Sequence, residues 1–249
     1  MQAMILAAGT GSRLRPLTNE VPKCMVKVNG VPMIERAIDA LVAAGIKKLI
    51  IGLGYKSEVL KDFIRTTFDE KRLNGMTIEF GENPDYDKTN NIYSLYLLKD
   101  FFTADDTLLL ESDLVYKPEV IKDLVNAEEK NLAVVSRWED WMDGTVTLLD
   151  SSDGITNFIV KKNQKEEDKP SYYKTVNIYK FSKEFTNNYY LPFLKTYMDV
   201  FGKNSYYETC LKFIAETDPS LLKGFKIDQS VWYEIDNQED LKVAEKRFN

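Results

Sequence analysis

Histidine is absent from all 249 residues. Its absence removes Ser-His and Cys-His nucleophile pairs, histidine general bases and most zinc sites together. Chemistry on this chain must run on carboxylates, lysine, arginine, backbone amides and a hard metal ion. Phosphoryl-type transfer fits that set, because positioning and charge neutralisation supply most of its catalysis. Cysteine is scarce: Cys24 and Cys210 stand far apart, which gives no disulfide framework and points to a reducing cytoplasm. Long apolar runs are missing too. No stretch approaches the roughly eighteen residues that a membrane-spanning helix needs. The N-terminal MQAMILAAG lacks the basic region and processing site of a secretory signal. Net charge is −6, with no basic stripe interleaved with aromatics, so neither nucleic acid nor a membrane is an expected partner.

What is present suffices for a full α/β core. Hydrophobic residues make up 44% of the chain, enough for one domain over 1–249, with a nucleotide-binding half at 1–130 and an acceptor-binding half at 131–249. Strand and helix patterns alternate through the first half: an apolar run at Met4–Ala7, helical spacing from Met33 to Val42, a strand at Lys48–Leu53, and a helix after Ser57 as its N-cap. A strand at Thr77–Phe80, a helix at Ile92–Leu98 and a strand at Thr107–Leu110 continue the series. Such alternation predicts a Rossmann-like, mostly parallel sheet flanked by helices. The second half reads as strands at 132–135, 145–149, 155–160 and 173–179, a smaller β-rich acceptor-binding extension of mixed direction. The charged run at 161–169 predicts an exposed loop. Helices at 191–201 and 206–215, a strand near Trp232 and a helix from Asn237 close the chain.

The most informative segment is LAAGTGSRLRPLT at residues 6–18, followed by Pro22-Lys23. Small residues directly after a buried strand let main-chain amides approach a phosphate closely. Leu14 stands where a dinucleotide fingerprint needs its third glycine, and no Gly-Lys-Ser/Thr follows at Walker spacing. Two cations, Arg13 and Lys23, are available to face a triphosphate. Asp113 ends the apolar run Leu108-Leu109-Leu110-Glu111-Ser112, and Asp236 ends Trp232-Tyr233-Glu234-Ile235. Carboxylates at strand ends can meet across one cleft and hold one Mg2+, with phosphate oxygens and water completing its shell. Glu111 is a weaker ligand candidate on the same face as Asp113.

With its spacing included, the run LAAGTGSRLRPLT…PK resembles the opening of the sugar-nucleotidyltransferase superfamily. The resemblance continues through Asn29-Gly30-Val31-Pro32-Met33-Ile34, Gly52-Leu53-Gly54-Tyr55-Lys56 and Asn90-Asn91-Ile92-Tyr93-Ser94 to Tyr233-Glu234-Ile235-Asp236. It is closest to the bacterial cytidylyltransferases that act on phosphocholine or 2-aminoethylphosphonate. The resemblance implies that Leu6, Ala8, Gly9 and Gly11 contact base and phosphates, and that Gly54, Asn91 and Ser94 lie around base and ribose. It implies that Arg13 and Lys23 bind the triphosphate catalytically, and that Asp113 and Asp236 hold magnesium. It also implies CTP as one substrate and a small zwitterionic phosphonate or phosphate ester as the other.

For the acceptor, the resemblance implies Lys161 as the phosphate ligand, with Lys162 behind it. The segment Arg137-Trp138-Glu139-Asp140-Trp141-Met142-Asp143 mixes rings and acids in a way that suits an ammonium group. Glu234, Asn177 and Tyr179 are further candidates. A quaternary choline wants an aromatic box, whereas a primary ammonium wants hydrogen-bond acceptors. More acids than ring faces favour 2-aminoethylphosphonate over phosphocholine. Two rivals stand beside this reading: a sugar 1-phosphate nucleotidyltransferase, and a non-catalytic nucleotide-sensing module. The retained Arg13, Lys23, Asp113 and Asp236 argue against the module. Homo-oligomerisation and fusion to another enzyme domain stay open.

Overall fold

The computed structural model describes residues 1–249. Strand β1 (Gln2–Ala7) is buried at every position, and its alternation explains why. Ala3, Ile5 and Ala7 join a core cluster on one face of the sheet, while Met4 and Leu6 join a second cluster on the other. A central strand covered on both faces reads as a continuous apolar run. Strands β2 (Lys48–Leu53) and β3 (Thr77–Glu82) extend the sheet in parallel on one side, and β4 (Thr107–Glu111) flanks β1 in parallel on the other. Helix α1 (Met33–Ala43) lays Ile34, Ala37, Ile38 and Leu41 on the first cluster. Each large side chain so buried contributes about 1.5–3 kcal/mol. Helix α2 (Ser57–Thr67) begins one residue earlier than a Ser57 cap allows, because Lys56 takes the cap position with φ 54°.

The second half extends the first directly: its strands continue the same sheet to nine strands in mixed directions. A short strand β5 (Leu114–Tyr116), outside that sheet, precedes β6 (Leu132–Arg137), β7 (Val146–Leu149), β8 (Ile155–Ile159) and the long β9 (Tyr173–Phe181). Antiparallel pairing of β9 with β4, Ile178 opposite Leu110, stitches the two halves together. The other end of β9 pairs with β6, Tyr173 opposite Arg137. Between these pairings the register shifts, and Asn177 sits there with φ 60°. Among the strands that the sequence reading did not foresee are β5 itself, the short antiparallel pair Lys27–Val28 and Val31–Pro32, and β10 (Lys223–Ile227), which adds to β6 in parallel.

Strand β11 (Trp232–Glu234) is not a sheet strand either. It pairs only with β5, in a two-stranded antiparallel ribbon that sets Glu234 opposite Leu114. Beyond the ribbon, the Ile235 amide donates to the Asp113 carbonyl at 2.9 Å. The ribbon thus carries Asp236 to the end of β4. Helices α3 (Asn91–Leu97), α4 (Glu119–Asn126), α5 (Leu191–Phe201), α6 (Glu208–Thr217) and α7 (Gln238–Arg247) complete the cover. No helix is long and apolar enough to cross a membrane.

Candidate active site

The loop after β1 takes its shape from three anchors. Leu14, fully buried, packs in a small apolar cluster with Val26, Val28, Tyr233 and Ile235. The Thr18 hydroxyl donates to the Gly11 carbonyl at 2.8 Å, and the Ala8 carbonyl accepts from the Tyr55 amide at 3.1 Å. Gly11 turns with φ 60°, and a Cβ there would lie 2.8 Å from Lys23 Cβ. Glycine at that point lets Lys23 lie against the loop. Gly9 is different, since an added Cβ would meet nothing within 4 Å. Its face is open to the cleft that it lines. Gly54 does not line that cleft. It presses against Ala8 and Tyr86, where a Cβ would come within 2.7 Å of the Ala8 carbonyl oxygen, and so supports the loop from behind.

Lys23 is the centre of the site. Its Nζ donates to Asp113 Oδ2 and to Asp236 Oδ1, each at 2.7 Å. Arg13 adds a second cation 2.8 Å from the same Asp236 oxygen. Burial by itself lowers the Lys23 pKa, but the charges of Asp113 and Asp236 outweigh it and hold the ammonium above its ordinary value. For Asp236 burial works upward, while Lys23 first and Arg13 after it pull the carboxyl below its usual range. Asp113 keeps one buried oxygen, Oδ1, without a hydrogen-bond partner. The two carboxylates therefore converge on one point, already share a cation, and retain an unused acceptor. Those features suit a divalent ion. No third His, Cys, Asp or Glu joins them as a ligand cluster, so an ion held here would need phosphate oxygens and water for its remaining positions.

A cleft of about 960 Å3 opens from this point. Leu6, Ala8, Gly9, Gly11, Arg13, Lys23, Asn91, Ser94, Asp113, Lys161, Asn177, Glu234 and Asp236 all line it. Asn91 and Ser94 have their polar atoms engaged with neighbouring elements. Asn91 donates to Glu111 Oε1 at 3.1 Å and accepts from the Tyr207 amide at 3.1 Å, while the buried Ser94 hydroxyl accepts from Asn83 at 3.0 Å. Lys161 pairs with Asp143 at 2.8 Å on the cleft rim, and that hydrogen bond lowers the Asp143 pKa. Asn177 brings Nδ2 to 3.5 Å from Glu234 Oε1.

The Trp-and-acid loop is elsewhere. Arg137, Trp138, Glu139 and Asp140 do not line the cleft. The Arg137 guanidinium lies over the Tyr173 ring and donates to the Pro170 carbonyl. Trp138 packs against the first core cluster. Glu139 accepts from Trp141 Nε1 at 3.0 Å, and Asp140 pairs with Lys169 at 2.9 Å. Trp141 stacks on Tyr233 at 4.6 Å between ring centres, beneath Arg247. That stacking folds the loop back onto the β11 ribbon, and only Asp143 from this stretch reaches the cleft. Tyr179 also lies outside the lining, fully buried with its ring edge-on to Tyr207.

Sequence reasoning missed Lys174 and Glu208, which both line the cleft. Lys174 is 2% exposed, donates to the Thr175 carbonyl at 2.6 Å and approaches Glu234 Oε2 at 3.2 Å. A lysine inside the apolar run of a strand is itself a signal, since unpaired lysines are almost never fully buried.

Comparison with known proteins agrees with this architecture. The family model for nucleotidyl transferases matches residues 2–241, and the chain belongs to that family. It is 28% identical, over all of its length, to the CMP-5′-(3-aminopropyl)phosphonate synthase of Streptomyces rubellomurinus, but spans only 39% of that longer protein. The CTP:phosphoglutamine cytidylyltransferase of Campylobacter jejuni is 30% identical over 98% of both chains. The solved CTP:phosphocholine cytidylyltransferase of Streptococcus pneumoniae shares the fold, with a TM-score of 0.80 at 24% identity, over 100% of this chain and 99% of that one.

Proposed function

We propose that this nucleotidyltransferase is a magnesium-dependent cytidylyltransferase that moves CMP from CTP to 2-aminoethylphosphonate and releases pyrophosphate. One observation carries the reading: Lys23, Arg13, Asp113 and Asp236 meet within 2.8 Å contacts at the mouth of a glycine loop. A phosphonate near neutral pH already exposes an anionic oxygen, so no residue has to deprotonate the nucleophile. That suits a chain without histidine. The loop amides around Gly9 would receive the polyphosphate, and Lys23 and Arg13 would neutralise charge on the α-phosphate and the leaving pyrophosphate. Magnesium held by Asp113 and Asp236 would supply further charge neutralisation as a Lewis acid. Lys161 and Lys162, which also line the cleft, would take the acceptor's anion and hold it for in-line attack. The choice of CTP and of an aminoalkyl phosphonate draws support from the two relatives, whose names carry CTP in one case and an aminopropylphosphonate in the other.

A pyrophosphate-release matrix tests this. ATP, GTP, UTP and CTP are each paired with 2-aminoethylphosphonate, phosphoethanolamine, phosphocholine and glucose 1-phosphate. CTP with 2-aminoethylphosphonate should be fastest; a higher rate with glucose 1-phosphate overturns the proposal. Lys23→Ala and Asp113→Ala should each reduce turnover by roughly 100-fold or more with unchanged circular dichroism. Near-normal rates in either variant remove the assigned roles.

A further inference from the structure

Three acids line the cleft besides Asp113, Asp236 and the rim residue Asp143: Glu111, Glu208 and Glu234, and the cation buried beside them is Lys174. Lys174 pairs with Glu234, and Asn91 donates to Glu111. Both also draw the Glu208 carboxyl down, against its burial, yet neither satisfies its second oxygen. Glu208 opens helix α6, is only 9% exposed, and its Oε2 is buried without a hydrogen-bond partner. Leaving such a group unpaired is unfavourable, and more so when it is charged. Burial accordingly pushes the Glu208 carboxyl up to about 7.

The position of Glu208 is held from both sides. Asn91 accepts from the Tyr207 amide and donates to Glu111, so the start of α6 is pinned to the end of β4. Glu111 feels the charge of Asp113 on one side and of Glu208 on the other. Glu208, with its one unpartnered oxygen, therefore sits on the same wall of side chains as Glu111, which ends the strand next to Asp113. A cation with N–H donors would satisfy Glu208, and a short spacer would join it to a phosphonate at Lys23 and Lys161.

We propose that Glu208, flanked by Glu111, is the subsite for a primary ammonium at the far end of the acceptor. The acceptor class is then a short phosphonate or phosphate monoester ending in –NH3+, because a quaternary ammonium has no N–H to donate. This subsite rests on the cytidylyltransferase reading above. It takes the place of the Trp-and-acid loop, which faces the β11 ribbon.

Steady-state kinetics on the full chain with CTP and magnesium test the assignment. The acceptors are 2-aminoethylphosphonate and propylphosphonate, which matches it in size but lacks the amine. The wild type should prefer the amine, and Glu208→Gln should raise KM for 2-aminoethylphosphonate by roughly 10-fold or more, the effect of losing a charge-assisted hydrogen bond. KM for CTP and the rate with propylphosphonate should stay as they are, which also shows that the variant is folded. Equal losses with both acceptors overturn the subsite alone. So does a wild type that does not distinguish them, a result that needs no variant. Absence of CTP turnover with every acceptor overturns the cytidylyltransferase reading and the subsite with it.

Discussion

Lys23 holds two carboxylates apart. Removing it leaves Asp113 and Asp236 facing each other, largely shielded from water, with only Arg13 to answer them. Like charges at that range repel strongly when partly desolvated. Lys23→Ala should therefore melt several degrees below the wild type without divalent ions, and magnesium alone should restore much of the loss. The wild type should shift less, because its ammonium already occupies the point where the acids meet. Thermal melts with and without magnesium read this directly. An equal magnesium response in both proteins would show that the acids do not share a cation site. At this scale the sequence was a good guide to Arg13, Lys23, Asp113 and Asp236, since loop spacing and strand ends constrain where such residues can go. It was a poor guide to Glu208. An acid in the first turn of a helix is expected there for reasons of dipole alone, and nothing local separates that role from an orphaned carboxylate in a cleft. Trp138 and Trp141 misled in the opposite sense: rings among acids read as an ammonium cage, whereas stacking on Tyr233 draws Trp141 away from the cleft.

Among the elements, helix α7 reaches into the site through its cap. Asn237 accepts from the amides of Glu239 and Asp240, and Asp240 Oδ2 accepts in return from the amides of Asn237 and Asp236. This capping box fixes the backbone of Asp236 itself. Asp240→Ala should lower stability by about 1 kcal/mol, visible in urea denaturation. It should also raise the magnesium concentration needed for half-maximal turnover. Loss of stability with no change in the magnesium requirement would mean that the cap serves the helix only. Apolar periodicity made α1 and β1 legible. Strand β5 and the ribbon were not, because three-residue strands carry too few positions for a period to show. Asn177 was legible as a residue but not as a turn in the chain: its positive φ follows from β9 changing register between two partners, a tertiary demand with no local sequence mark.

For the whole molecule, one sheet runs through both halves of the chain. Strand β4 from the first half is flanked by β1 on one side and by β9 from the second half on the other. A fragment ending at residue 130 would expose that edge of β4 and lose the β11 ribbon that brings Asp236 to Asp113. Such an edge is prone to aggregate. Fragment 1–130 is expected to be insoluble or unfolded, and the full chain should unfold in one cooperative transition by calorimetry. A soluble fragment with a sharp melt of its own would show that the halves are independent. The alternation of strands and helices exposed the parallel core in advance. The merging of the second half into the same sheet depends on long-range pairing, which a linear pattern cannot specify.

The opposition of Tyr173 to Arg137 has a practical consequence. The chain departs from β6 and returns on β9 at neighbouring points, so everything between forms an excursion with adjoining ends, and Asp143 and Lys161 ride on it. The excursion is tied down within its length, since Ile155 and Phe158 are buried in the second core cluster and Trp141 stacks on Tyr233 of the ribbon that carries Asp236. Selectivity for the second substrate can thus be retuned at its cleft-facing rim, at Asp143 and Lys161, while its buried residues keep the catalytic apparatus as it is.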